Sequence, residues 1–153
     1  MANSTGQAGP KRERDMTTIH VDIVSAEAAI WSGQADMVFA SAQMGDVGIA
    51  PRHSPLLTRL KPGEVRVRVH GEEEEQSFFV SGGILEVQPH LVTILADTAL
   101  RAHDIDEAEA LKAKQRAEEA LADRESDVDL SRAQAELAEA AARLALVQKI
   151  RKK

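Results

Sequence analysis

After Arg101 the chain stops using glycine and proline. Residues 104–153 contain neither and are rich in Ala, Glu, Leu, Lys and Arg. Interior glycine costs a helix about 1 kcal/mol and interior proline about 3 kcal/mol. The tail is therefore free to form long helices, whereas the segment before it is repeatedly interrupted. Two regions of different period share 153 residues, which fits one medium domain or a small domain with an appendage.

From Thr17 to about Asp97 the period is that of strands. Ile19, Val21 and Ile23 alternate with His20 and Asp22. Val65, Val67 and Val69 alternate with Arg66, Arg68 and His70, the clearest two-residue period in the chain. Residues 76–81, 84–88 and 91–97 are further short apolar runs, separated by the turn signals Ser81-Gly82-Gly83 and Pro89-His90. Gly71 and the four glutamates after it read as a solvated hairpin end rather than a cation site. Arg66 and Arg68 read as a solvated strand face rather than an anion site. Short strands at this spacing predict a β-sandwich or flattened barrel, not βαβ units.

In the tail, Asp104 and Glu107 have capping-box spacing and predict a helix running to about Ala122. Its stripe is mostly small: Ala110, Ala113, Ala117, Ala120 and Leu121. Residues 123–129 form a polar break, with Asp129 the expected N-cap of a second helix. Leu130, Ala133, Leu137, Ala140, Leu144 and Val147 then recur at spacings of three and four. That is a narrow, heptad-like seam with half its knobs Ala. Glu139 and Arg143 are spaced as an i, i+4 pair. Lys149, Arg151, Lys152 and Lys153 complement the helix C-terminus. Facing stripes and a short break predict an antiparallel helical hairpin. Each Ala buries far less area than a Leu, at about 25 cal/mol per Å². Docking is therefore expected to be weak, on the order of a few kcal/mol, with undocked states within reach.

Residues 45–57 read Gly-Asp-Val-Gly-Ile-Ala-Pro-Arg-His-Ser-Pro-Leu-Leu. Gly45 and Gly48 tolerate positive φ. Pro51 and Pro55 fix φ and push Ala50 and Ser54 towards extended geometry. The expectation is a stiff, shaped loop. His53 reads either as an interface donor or as a loop histidine bonding backbone, and the residues leave both open.

Several function classes are excluded. A net charge of −6 argues against nucleic acid, and three Phe, one Trp and no Tyr leave no stacking platform for bases. With no cysteine there is no disulfide, thiolate metal site or Cys nucleophile. His20, His53, His70, His90 and His103 lack metal-ligand spacing. Walker, G-x-G-x-x-G, G-x-S-x-G and H-E-x-x-H patterns are all missing. No catalytic, cofactor-binding or metal site is predicted, so the chain is not expected to be an enzyme. No apolar run reaches the roughly 20 residues that cross a bilayer, so a membrane link is expected to run through a partner. Residues 1–15 are polar and basic with no apolar h-region. They are expected to be a disordered extension, with folding starting near Met16.

Several segments, in this order and spacing, resemble the epsilon subunit of bacterial F-type ATP synthases. They are Val24-Ser25-Ala26-Glu27, Gly45-Asp46-Val47-Gly48-Ile49, His53-Ser54-Pro55-Leu56-Leu57 and Leu60-Lys61-Pro62-Gly63. Val80-Ser81-Gly82-Gly83-Ile84-Leu85-Glu86-Val87 and Val92-Thr93-Ile94-Leu95-Ala96-Asp97-Thr98-Ala99 complete the set, so that the resemblance spans Thr17 to about Arg151. It implies a β + α fold: a ten-stranded sandwich of two five-stranded sheets over residues 16–101, then a two-helix hairpin over 102–153. It implies a non-catalytic rotor subunit of the central stalk, without a cofactor. That subunit links the gamma subunit to the c-ring in a complex coupling proton flow to ATP synthesis, peripheral on the cytoplasmic face of the bacterial inner membrane. By this resemblance Asp46, Arg52 and His53 contact gamma and the ring, with Arg52 standing where the family often has Gly. The hairpin is regulatory: packed down it permits turnover, and extended it reaches the alpha and beta subunits and blocks ATP hydrolysis. Arg132, Arg143, Lys149 and Arg151 would then face an acidic segment of beta.

Some family members bind ATP through [IL]-D-x-x-R-A on the first helix. Here the stretch reads Ile105-Asp106-Glu107-Ala108-Glu109-Ala110, and Glu109 replaces the phosphate-pairing arginine with a repelling charge. Tight ATP binding is not expected. Two other classes remain as competitors. One is a free-standing β-module adaptor with a coiled-coil dimerisation arm, which Ala133 and Ala140 make too narrow; the rotor reading expects a monomer when isolated. The other, a small-ligand enzyme on a β-barrel, lacks an acid–base cluster.

Overall fold

Ile19, Val21 and Ile23 are fully buried, as their alternation predicts, and so are Val65 and Val67. These residues belong to a computed structural model that describes residues 17–123 and 127–152, with 127–129 described by backbone alone. The expectation for residues 1–15, and the charge at Lys153, lie outside the described residues. The strands are β1 (Ile19–Ser25), β2 (Ala29–Ala42), β3 (Gly45–Ile49) and β4 (Leu56–Val69). They continue as β5 (Gln76–Val80), β6 (Gly83–Gln88), β7 (Leu91–Ala96) and β8 (Ala99–Arg101). A 3-10 turn (Ala102–Asp104) leads to the helices α1 (Glu107–Ala122) and α2 (Asp127–Arg151).

The two layers share their longest strands. Residues 29–35 of β2 pair with β1, which pairs with β7, then β6, then residues 56–60 of β4. In the other layer, β3 pairs with the second half of β2, followed by the second half of β4, β5 and β8. The predicted sandwich of two five-stranded layers is present. It is built from eight continuous strands rather than ten, because β2 and β4, each 14 residues long, run from one layer into the other. The register of β2 slips between Ala35 and Met37, which leaves Asp36 as a bulge. In β4 the inward phase changes at Lys61-Pro62-Gly63, between buried Leu60 and buried Val65. Proline is tolerated in a strand at such an irregularity.

Gly83 opens β6 at φ 136°. A Cβ there would sit 2.1 Å from the Leu95 carbonyl oxygen. The close pairing of β6 with β7 therefore requires glycine at this position.

Between the layers lies one apolar cluster that includes Ile19, Val38, Val65, Phe78, Leu85 and Ile94. Trp31 packs against Phe78 with ring centroids 6.2 Å apart. The helical part differs from expectation at its starts. Asp106, not Asp104, caps α1, its side chain accepting from the Glu109 N–H at 3.2 Å. Asp104 belongs to the 3-10 turn, and the Glu109 side chain turns to Arg116 at 3.0 Å, so α1 has an Asp106 N-cap. α2 begins at Asp127, two residues before the expected cap at Asp129. The helices pack antiparallel along the small seam, burying Ala110 and Ala117 of α1 and Ala133, Ala140, Leu144 and Val147 of α2. Ala120, expected in the stripe, is exposed.

Candidate functional site

The stretch read as one stiff loop, residues 45–57, divides in the structure. Gly45–Ile49 is strand β3, at the edge of its layer, and Leu56 and Leu57 begin β4. The loop proper is a β-turn in which the His53 N–H donates to the Ala50 carbonyl at 3.2 Å. Pro51 sits at its second position and Arg52, at φ 64°, at its third. Proline followed by positive φ is the type II pattern, and the third position favours glycine. Here Arg52 bears the left-handed conformation, which costs a non-glycine residue about 1–2 kcal/mol. The Arg52 N–H donates to the Pro89 carbonyl at 2.9 Å and ties the turn to the β6–β7 connection. The His53 Nδ1–H donates to the Ser54 carbonyl at 2.7 Å. The backbone-bonding histidine is thus the reading the structure shows, and Nε2 is left for other contacts.

Asp46 does not join Arg52 and His53. It is exposed near the β2–β3 connection, opposite Ser41. Three residues of strand, about 10 Å, separate it from Ile49 at the end that leads into the turn. Met44 stands beside it, almost fully exposed.

A hydrogen-bonded polar cluster lies across β1 and β2. The Ser32 hydroxyl donates to Asp22 at 2.6 Å, His20 Nε2 lies 2.9 Å from the same oxygen, and Gln34 Nε2 is 3.1 Å from His20 Nδ1. The Ser32 hydrogen bond, aided by His20 and opposed by burial, holds the Asp22 carboxyl below its ordinary value.

The four cations of α2 are all engaged within the chain. Arg132 pairs with Glu136 at 3.1 Å and Arg143 with Glu139 at 2.7 Å, both one turn away. Arg151 pairs with Glu107, joining the end of α2 to the start of α1. Lys149 Nζ reaches Glu64 of β4 at 2.7 Å. The Arg143 guanidinium also lies 5.0 Å from the ring centre of Phe79. Sequence reasoning missed this docking surface. Phe79 points away from the sandwich core yet is fully buried, clustered with Ala102, Leu146, Ala142, Ile105 and Ile150. The signal was the Phe78-Phe79 pair. Neighbours on a strand face opposite sides, so two aromatics in a row mean both faces are covered.

Arg66 and Arg68 are not a bare solvated face either. Arg66 stacks over Phe39 at 4.3 Å and pairs with Glu64 at 3.4 Å and Glu75 at 3.1 Å. Arg68 lies 3.9 Å from Glu75. A groove of about 560 Å³ between α1 and α2 is lined by Arg116 and Arg132 but also by Glu119, Asp123 and Glu136. Among the described residues, no three His, Cys, Asp or Glu side chains group as metal ligands, and no helix is long and apolar enough to cross a membrane.

The fold and these surfaces define a two-part binding module: a sandwich that presents shaped turns, and a helical arm folded back on it. The comparisons place that module. Residues 18–102 match the family described as ATP synthase, Delta/Epsilon chain, beta-sandwich domain, and residues 103–148 match its long alpha-helix domain. An ATP synthase epsilon chain of Nitrosococcus oceani is 68% identical over 136 residues, covering 89% of this chain and 96% of that one. One from Thioalkalivibrio sulfidiphilus is 64% identical over 135 residues, covering 88% and 96%. The chain belongs to the ATP synthase delta/epsilon family, among the epsilon chains of the bacterial F-type enzyme, which are non-catalytic subunits of the complex. The fold is also that of a chain in the Euglena gracilis mitochondrial ATP synthase OSCP/F1/c-ring assembly. There the TM-score is 0.75 at 16% identity, covering 90% of this chain and 82% of that one.

Proposed function

We propose that this chain works in the central stalk, linking the gamma subunit to the c-ring, and that its hairpin inhibits ATP hydrolysis when it leaves the sandwich. The complex then couples proton flow to ATP synthesis, with the chain peripheral on the cytoplasmic face of the membrane. The observation that carries the reading is the way the hairpin is held. Its contact with the sandwich has a small buried centre, Phe79, Ala102 and Leu146, bordered by half-buried Ile105, Ala142 and Ile150 and by the Lys149–Glu64 ion pair. Fully burying a Phe or Leu contributes about 1.5–3 kcal/mol. A contact of this size keeps docked and extended states close enough in free energy for a partner to choose between them.

In this reading the β3 edge and its turn carry attachment, with Asp46 at one end and Arg52 and His53 at the other. Arg132, Arg143, Lys149 and Arg151 meet an acidic surface of the beta subunit, beside alpha, in the extended state. ATP is not a tight ligand of the hairpin. Glu109 is committed to Arg116 at 3.0 Å, Asp106 is committed to capping, and three carboxylates share the groove between the helices. The isolated chain is a monomer, because Ala133 and Ala140 are already covered within the chain and offer no dimer seam. The decisive experiment deletes residues 104–153 from the assembled complex. We expect subunit stoichiometry to be unchanged and ATP hydrolysis to rise severalfold. Unchanged hydrolysis, under conditions where the full-length complex is inhibited, would refute the inhibitory role.

A further inference from the structure

We infer that Glu64 is the sandwich's receptor for the hairpin, and that Lys149 is exchanged between Glu64 in the docked state and an acidic partner in the extended state. This rests on the hairpin having two positions, as proposed above. The internal ion pairs of α2 fall into two groups. Arg132–Glu136, Arg143–Glu139 and Arg151–Glu107 lie wholly inside the hairpin. They survive if the hairpin moves as a unit. Lys149–Glu64 and the stacking of Arg143 on Phe79 cross to the sandwich and are lost on release. Release therefore frees one ammonium and one guanidinium face, and leaves Arg132 and Arg151 with their carboxylates.

The sandwich side is built for this exchange. Glu64 is little exposed, at 17% of its side chain, and an orphaned carboxylate there would oppose release. It is not orphaned, because Arg66 Nε stands 3.4 Å from it, and Arg66 is itself held by Glu75 and by Phe39. When Lys149 leaves, Glu64 keeps a cation. Lys149, half exposed, is the side chain that enters solvent without a carboxylate and is ready for an acidic surface.

Breaking one pair from its two ends then gives opposite effects on inhibition. Glu64→Gln removes the receptor and favours extension, and inhibition deepens. Lys149→Gln also undocks the hairpin but removes the cation needed in the extended state, and inhibition weakens. The chain has no cysteine, so spin labels at Gln88→Cys and Gln148→Cys report hairpin position in the full chain by electron–electron distance measurement. We expect both variants to raise the undocked fraction about two- to fivefold, the scale of a partly exposed ion pair. Salt raised from about 50 mM to about 500 mM should do the same in the unsubstituted chain. Lys149→Arg, which keeps the charge, and Glu73→Gln, which removes a carboxylate from an exposed turn, should change little. An unchanged distance distribution in Glu64→Gln overturns the proposal. So does a Lys149→Gln complex that is more inhibited than the unsubstituted one. If deleting residues 104–153 fails to raise hydrolysis, the inhibitory reading falls, while the distance measurement still decides whether Glu64 receives Lys149.

Discussion

Inside the sandwich, Ile19, Val38, Val65, Phe78 and Ile94 are fully buried in one continuous apolar cluster. On the hairpin, the residues that meet the sandwich include Ala142, Arg143, Leu146, Lys149 and Ile150. The first set offers water nothing to compete for. The second is small, partly wet and partly ionic, and exposed ion pairs contribute little each. The sandwich can therefore hold its turns in fixed shape while the hairpin is held more weakly. In the proposed function, attachment and control are separated because they are built from different chemistry on one chain.

The adjacent aromatics test this division with the largest effect. Phe78→Ala empties a core site and should cost the sandwich about 3–5 kcal/mol. Phe79→Ala should spare the sandwich and shift its loss, about 1.5–3 kcal/mol, onto docking. Denaturant unfolding followed by Trp31 fluorescence reports the sandwich, and helical circular dichroism reports the hairpin. The two curves should separate in Phe79→Ala, and coincident curves would join the regions into one unit.

A smaller effect belongs to the turn at Pro51 and Arg52. Arg52→Gly relieves the left-handed strain but loosens the unfolded chain, for a net gain of about 0.5–1 kcal/mol. The midpoint of the Trp31 transition should rise, since the turn is part of the sandwich. A fall would mean that the Arg52 side chain holds the turn.

The smallest effect concerns Asp22. Ser32→Ala removes the main hydrogen bond that depresses its pKa, and the carboxyl should move up towards 3.8. A carboxyl held below its unfolded value stabilises the fold above that value and loses the contribution as pH falls through its folded pKa. The unsubstituted chain should be more stable than Ser32→Ala at neutral pH, and the gap should close below about pH 4. NMR titration of Asp22, with melts at both pH values, checks the sign.

Much of the sandwich was legible because alternation survives in β1, in the second half of β4 and in β6 and β7, while β5 reads as a short apolar run. β2 was not legible for a physical reason. Its inward residues are Trp31, Gly33 and Ala35 before the Asp36 bulge, then Val38, Ala40 and Ala42 after it, so the period changes phase mid-strand. β3 was hidden by its two glycines, which an edge strand tolerates and which give Phe39 room beside Gly48. The hairpin seam was readable as small residues at heptad spacing. Its partner on the sandwich was not, because nothing local to Glu64 tells that Lys149, 85 residues away, will reach it. Asp104 and Asp106 both carry cap chemistry, and the 3-10 turn at Ala102–Asp104 decided between them.

The central claim is that the hairpin opens as a unit while the sandwich stays closed. Native-state hydrogen exchange on the full chain measures this most directly, because a released two-helix hairpin is only marginally stable by itself, so its amides exchange from the released state. The α1 and α2 amides should share one opening free energy a few kcal/mol below that of Val38, Val65 and Phe78, and added salt should lower it further. Helix and core-strand amides that exchange with the same free energy, unmoved by salt, would contradict the account.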